Sequence, residues 1–495
     1  MAKARVRAER IAGAFWGLLV GDAVGVPYEF RSPDAIGAVV FGATGTHHQP
    51  PGTWSDDGAL MLATLDALLP EGATVAELDL AAHGRACIAW RHEGRYTPDG
   101  DGVFDIGGAT SAAIARLRAG TPAEDAGGTG EHDQGNGSLM RILPVGLVPL
   151  PDGADRMEWA MRASRVTHGH IVPQVACALY VAIVERLVAG EEPGDAFRQA
   201  HDALAARLAG DPAGTAALAT IDAWSGRAGR GYVVDAFWSA WDAFAGASSV
   251  AGTIERAIAY GSDTDTTAAI AGGLAGARWG IDGIPPAWLA GMRGHAIAGP
   301  LLDRLLAQTG LRTSSSDPIR VDRFPAGTGA AAGWTGTLGM TFLPGKRGAG
   351  SGGALLRDPW ADVRLLRDAY GVETLVLLPE DAELADRGVP TLAAICAAAG
   401  ISVLRHPIRD LDVPADVEGF RALLAEIEGQ LRAGRTVAVA CVGGLGRTGT
   451  VAACLLRATG LDGAAAIDAT RAVRPGTVEM PAQEAFVRAW RPAGG

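Results

Sequence analysis

Residues 436–456 read TVAVACVGGLGRTGTVAACLL. The apolar, β-branched run 436–440 is long enough for one buried strand, the glycines after it set a tight turn, and the Ala- and Leu-rich remainder predicts a helix over 450–459. The same alternation extends upstream: strands over 374–378 and 401–404, helices over 389–399 and 417–431. Strand and helix alternating at this spacing predict a mostly parallel sheet covered on its faces. From residue 10 to about 311 the text differs: long apolar segments with three-to-four spacing, separated by Gly-, Pro- and Asp-rich loops. That pattern predicts an all-α region. The polar run 312–318 (RTSSSDP) and the Gly- and Ser-rich run 346–353 read as surface linker or loop, and the seam falls near residue 315.

Length alone suggests about three units of ~150 residues, and one large unit with one ordinary unit accounts for the 495 residues equally well. The net charge of −12 argues against nucleic acid as the main partner, because phosphate backbones select a basic footprint. Gly (69) and Pro (27) together fall below the share of a low-complexity chain, so the chain is globular. Five cysteines (Cys87, Cys177, Cys396, Cys441, Cys454) form no CxxC pair, which argues against a structural zinc site or disulfide framework and points to a reducing, cytoplasmic compartment. The basic start followed by the apolar run 11–20 mimics a signal peptide, but Asp22 follows at once and no small-x-small cleavage site is evident. No other stretch reaches the ~18 uninterrupted apolar residues of a membrane span, so no membrane partner is expected.

Three segments concentrate carboxylates where helices begin: GDAVGVPYE (21–29), WSDDG (54–58) and GSDTDTT (261–267). Each can be read as helix capping, worth ~1 kcal/mol. Capping needs one acceptor per helix, however, whereas paired acids with Ser and Thr are the hard oxygen set of Mg²⁺ or Mn²⁺, and two clusters suit a two-metal centre. Together with GNGSLMRILPVG (135–146), these strings resemble the ADP-ribosylglycohydrolase family, in order over about 270 residues. The resemblance implies an all-α domain over 8–312 and two Mg²⁺ or Mn²⁺ ions holding the ribose hydroxyls of ADP-ribose. It implies Ser55, Asp56, Asp57, Asp263, Asp265 and Thr266 as metal ligands, Glu29 as a base or substrate-positioning acid, and Asn136, Gly137 and Ser138 near the diphosphate. Gly58 departs from the family, where many relatives carry Thr. His168 matches a family motif, although a lone His at a helix edge is more often structural.

In the opening stretch, Cys441 and Arg447 bracket a Gly-rich turn ahead of a helix. Backbone N–H groups and the helix dipole there attract an anion, Arg447 can hold two phosphate oxygens, and the same field favours a nucleophilic Cys441 thiolate that Thr448 can hydrogen-bond as it leaves. A buried Cys in an ordinary strand-to-helix turn is the bland alternative. CVGGLGRTGTVAACLL resembles the signature of the cysteine-dependent protein phosphatases, dual-specificity group, over about 150 residues. That resemblance implies an α/β domain over 318–495, with Gly443, Gly444 and Gly446 binding phosphate and no cofactor. It also implies Asp410 as general acid, Asp412 being the fallback. Ala440 departs from the family, in which a His usually precedes the nucleophile and orders the loop, so a higher Cys441 pKa and slower turnover are expected.

The combined expectation is a bifunctional hydrolase. One half removes ADP-ribose from a modified protein or small molecule, and the other hydrolyses a phosphorylated substrate. The competing readings are an ADP-ribose or phosphate reader with one or both sites inactive, and a phosphatase with a helical targeting module.

Overall fold

The computed structural model describes residues 2–72, 75, 77–98, 102–327, 331, 333–350 and 353–492. The chain divides into two compact units, one ending at Leu311 and the other starting at Arg312.

The first unit is helical, and two of its helices set the positions of the acidic segments. Helix Ala2–Gly25 runs antiparallel to helix Thr264–Trp279, with a glycine every fourth residue on the first facing small residues on the second. A Cβ at Gly17 would lie 2.3 Å from the Gly272 carbonyl oxygen, and one at Gly21 would lie 2.1 Å from that of Ala268. Backbones this close tolerate no side chain, so the glycine stripe fixes both separation and register. Register in turn brings the Gly25 end of the first helix to the Thr264 start of the second, where the Thr264 hydroxyl donates to the Gly25 carbonyl at 2.9 Å. Helix Lys3–Tyr28 and helix Ile171–Ala189 are each long and apolar enough to cross a membrane, and their apolar windows are 100% and 78% buried inside the protein. Residues 11–20 lie mid-helix, with Phe15, Leu18 and Leu19 fully buried.

The second unit is built on a five-stranded sheet. Its strands are β1 (Asp322–Phe324), β2 (Thr337–Phe342), β5 (Thr374–Leu377), β6 (Ser402–Arg405) and β7 (Thr436–Cys441), while β3 (Arg347–Gly350) and β4 (Gly353–Leu356) form a separate antiparallel hairpin. The sheet order is β1-β2-β7-β5-β6, parallel except for β1 against β2. β7 sits in the middle, paired on both sides and buried from Val437 to Cys441, as its unbroken apolar run requires.

The run 312–318 is a loop with Ser315, Ser316 and Pro318 exposed, anchored through buried Thr313 and Ser314; the Ser314 hydroxyl accepts from the Asp358 amide at 3.0 Å, ahead of helix Pro359–Asp368. One expectation is corrected. Of the run 346–353, Ser351 and Gly352 lie outside the described residues, and the flanking residues pair as the β3–β4 hairpin rather than forming a loop. Glycine allowed that pairing through Gly353, whose φ of 124° no L side chain favours.

Candidate active sites

In the helical unit the three acidic segments converge. Phe30 N–H donates to the Ser262 carbonyl at 2.7 Å and Ser262 N–H returns a bond to the Arg31 carbonyl at 2.9 Å, which ties the Glu29 segment to the 261–263 turn. That turn needs two left-handed residues in succession, Gly261 (φ 71°) and Ser262 (φ 63°); the second is strained for a side-chain-bearing residue. Asp22, fully buried, accepts from the amides of Ser55 (2.9 Å) and Gly58 (2.8 Å) and so pins the 54–58 segment to the first helix.

Ser55 does cap helix Asp56–Leu68, accepting from the Asp57 amide at 3.4 Å, which leaves both Asp carboxylates free of that duty. Asp263 stands at the N-cap of helix Thr264–Trp279 yet makes no side-chain cap bond; its carboxylate accepts from Asn136 Nδ2 at 2.8 Å. Thr266 Oγ1 donates to Asp57 Oδ2 at 3.1 Å, linking the second acidic cluster to the first. Asp57 Oδ1 and Asp265 Oδ2 are buried with no hydrogen-bond partner.

Oxygens of Glu29, Asp263 and Asp265 lie within 4.8 Å of one another, and so do donor atoms of Glu29, His47 and Asp105. Burial, then Asp105 and Asp263, push Glu29 up to about 9. Burial is also the first cause raising Asp56, Asp57, Asp263 and Asp265. So many buried acids cannot all ionise together without a cation, and orphaned carboxylate oxygens are the donors a hard divalent ion takes. The donor set suits Mg²⁺ or Mn²⁺.

His47 and Asp105 escaped the sequence reading. His47 Nε2 hydrogen-bonds Glu29 Oε2, and its ring packs against Phe104, with centroids 5.2 Å apart. Both His47 and Asp105 lie in loops without a motif, and positive φ at His48 (52°) and Asp105 (53°) is visible in the structure alone. Gly137 packs tightly beside His168, where a Cβ would meet the ring at 2.9 Å. The Ser138 hydroxyl is engaged by Ser164 at 2.9 Å and by Cys177, not by the acidic cluster. His168 is buried, bonds Thr167 Oγ1 through Nδ1, and is lowered to about 3 by burial and Arg141, as befits a structural imidazole.

In the second unit Cys441 ends β7, and helix Gly446–Ala458 starts directly after the turn, so Arg447 and Thr448 lie in its first turn. Gly444 has φ 71° and a Cβ there would lie 2.4 Å from the Thr341 carbonyl oxygen; its amide donates to Cys441 Sγ at 3.2 Å. A small cleft is lined by Cys441, Gly443, Gly446, Arg447, Asp410 and Glu479, among others. Arg447 is nearly fully buried and held in a fork by Glu383 (2.7 and 3.0 Å), with Asp410 Oδ1 2.8 Å away. Glu383, on helix Asp381–Asp386, was not legible as a site residue because its partner lies far along the chain. The Asp412 carbonyl accepts from Gln483, and its carboxylate accepts from the Val413 amide, leaving Asp410 as the acid on the cleft. Thr448 Oγ1 is buried and unpartnered. All five cysteines are free.

A helical unit with converging acids, followed in the chain by an α/β unit with a Cys-to-Arg turn, defines the class. The chain belongs to the ADP-ribosylglycohydrolase family, whose model matches residues 3–315, and residues 359–461 match the model described as polymorphic toxin system, DSP-PTPase phosphatase. It is 30% identical over 290 residues to ADP-ribosylarginine hydrolase Tri1 of Pseudomonas putida, covering 57% of this chain and 73% of that one. It is 30% identical over 139 residues to cyclin-dependent kinase inhibitor 3 of Sus scrofa, covering 28% and 61%. A solved ADP-ribosylglycohydrolase-related protein complex superposes with TM-score 0.50 at 28% identity, covering 61% of this chain and 98% of its own.

Proposed function

We propose that the chain is a two-site hydrolase: the helical unit releases ADP-ribose from ADP-ribosylated arginine, and the α/β unit hydrolyses a phosphomonoester through Cys441. The observation that carries the first half is the pair of buried, unpartnered oxygens, Asp57 Oδ1 and Asp265 Oδ2, among acids from three distant segments. The arginine linkage rests on the similarity to the Pseudomonas putida hydrolase. Ser55, Asp56, Asp57, Asp263, Asp265 and Thr266 are the residues that would hold two Mg²⁺ or Mn²⁺ ions, which supply Lewis-acid polarisation of ribose oxygens and an activated water. Glu29, raised by burial, holds or moves a proton at its carboxyl beside the scissile bond, and His47 fixes its orientation. Asn136 orients Asp263.

In the second half, an arriving phosphate displaces Asp410 from Arg447 Nη2, while Glu383 keeps its fork on the guanidinium. Cys441 sulfur attacks phosphorus, the S–P bond forms as the ester P–O bond breaks, and Asp410 gives its proton to the leaving oxygen. Water then attacks phosphorus, returning a proton to Asp410, while the Thr448 hydroxyl stabilises the departing thiolate. Gly443, Gly444 and Gly446 leave the turn open for phosphate oxygens, and no cofactor enters these steps.

The test is release of free ADP-ribose from ADP-ribosylated arginine and serine peptides with Mg²⁺, Mn²⁺ or chelator, alongside p-nitrophenyl phosphate hydrolysis. Metal-dependent release from the arginine peptide is expected. Tight ADP-ribose binding with no release from either peptide would replace this proposal with the reader alternative.

A further inference from the structure

Three consecutive carbonyls of the turn after Cys441 are held from outside by cations. Lys346 Nζ donates to the Val442 carbonyl at 3.0 Å, and Arg474 donates to the Gly443 carbonyl (3.3 Å) and the Gly444 carbonyl (2.6 Å). Carbonyls fixed on one side leave the amides of the turn to face the other, as an anion nest requires. The Arg474 charge is shared with Asp322. Lys346 is not on a loose loop. The turn before it is locked by Gly345, whose φ is 71° and whose amide donates to Asp362 Oδ2 at 2.8 Å. Its ammonium sits 4.5 Å from the Phe342 ring centroid, with Arg357 over the same ring at 4.9 Å.

The nearby charges are unevenly committed. Asp362 is taken by Arg357, Glu383 and Asp410 are taken by Arg447, and Glu479 lies on the cleft wall. Burial, then Arg357, with Arg387 and Arg474 adding to it, lower Lys346 to about 8, and Cys441 acts the other way. The Lys346 ammonium is therefore charged at neutral pH, and it is bonded to the carbonyl of the residue that follows Cys441.

We propose that Lys346 is a positioning residue for Cys441, fixing the Val442 carbonyl and supplying the positive charge that favours the thiolate at a site where Ala440 stands in place of the usual His. The proposal rests on the reading of Cys441 as nucleophile. It also bears on the slow turnover expected from Ala440, which Lys346 offsets.

The experiment uses the full chain with Lys346→Met, Lys346→Arg, and Lys346→Met combined with Ala440→His. Iodoacetamide labelling of the Cys441 peptide is followed by mass spectrometry across pH, with kcat and KM for p-nitrophenyl phosphate measured in parallel. Lys346→Met is expected to slow labelling at pH 6.5 about fivefold while leaving it unchanged at pH 10, as loss of a nearby cation predicts. The kcat should fall by a similar factor with KM little altered, and both Lys346→Arg and the added His should restore much of the loss. An unchanged labelling profile in Lys346→Met, with only a lower Tm, overturns the proposal in favour of a structural lysine. If the unsubstituted chain hydrolyses no phosphomonoester but the labelling shift is present, the phosphatase reading fails and the Lys346–Cys441 coupling stands.

Discussion

Replacing Asp265 by Asn separates a metal-ligand role from a capping role, because the two predict opposite effects on stability. Asp265 is fully buried, its Oδ1 accepts from the Thr266 amide at 2.9 Å, and its Oδ2 has no partner. Burial raises it well above the usual carboxylate range, and Glu29 and Asp57 raise it further. A raised carboxyl binds more protons folded than unfolded, so it costs stability as pH rises above its unfolded value of about 4. Asn keeps the Oδ1 acceptor and removes the charge. In chelator at pH 8 the variant regains about 1–3 kcal/mol from the unsatisfied, repelled oxygen and loses about 0.3–1 kcal/mol of helix-dipole attraction. The net is a gain of about 1–2 kcal/mol, or a Tm increase of roughly 3–5 °C, which shrinks towards pH 5. With Mg²⁺ at 100 times its Kd the unsubstituted chain should gain about 2.7 kcal/mol and the variant almost none. ADP-ribose release should fall by about 100-fold or more. Calorimetry in EDTA and in Mg²⁺, at both pH values, reads all of this. A variant that melts lower in EDTA and responds normally to Mg²⁺ would show that Asp265 serves the helix and would refute the metal-ligand argument.

The other predictions are more local. Gly21→Ala puts a Cβ 2.1 Å from the Ala268 carbonyl oxygen and should destabilise the helical unit by about 3 kcal/mol; a calorimetric change under about 1 kcal/mol would mean the helices are not so closely paired. Cys441→Ser should abolish p-nitrophenyl phosphate hydrolysis and leave ADP-ribose release intact, and residual hydrolysis at the original rate would remove Cys441 from the mechanism. His168 is lowered to about 3, so its neutral form contributes stability above its unfolded pKa, and that contribution is lost as pH falls from about 6.5 towards 3. The loss is at most about 1.4 kcal/mol per pH unit, and His168→Gln should flatten the acid limb of the unfolding curve.

How much of this could be read from the sequence depends on how local the cause is. β7, its turn and the following helix were legible because strand, glycines and helix are contiguous, and the paired acids because Asp-Asp and Asp-Thr-Asp exceed what a cap needs. The helix start was placed too late, at 450 rather than Gly446, since a Gly-Arg-Thr-Gly opening has poor helix propensity and is held by tertiary contacts. β2 was missed because TLGMTF carries a glycine; a Cβ at Gly339 would lie 2.4 Å from Val321, so the strand needs the residue that hides it. His47, Asp105, Glu383 and Lys346 were missed because each is a lone residue whose partner is distant in sequence. Gly58 has a structural explanation: a Cβ there would meet Leu19 and Trp54 at 2.8 Å, so those side chains occupy the space a larger residue would need.

Both candidate sites use the start of a helix, with opposite charge. In the helical unit, Asp56, Asp57 and Asp265 occupy first turns, where the dipole favours negative charge, and this offsets part of the mutual repulsion of the gathered acids. In the α/β unit the first turn carries Arg447 and no acid, so the same dipole and the amides of the turn are left for an anion from solution. Arg447 is unfavourable at a helix start, and Glu383 compensates by pairing with it in a fork. Glu383 therefore sets how freely Arg447 can turn. The Glu383–Arg447 pair, together with the Lys346 charge behind the turn, is the balance on which the phosphate affinity proposed for this unit would rest.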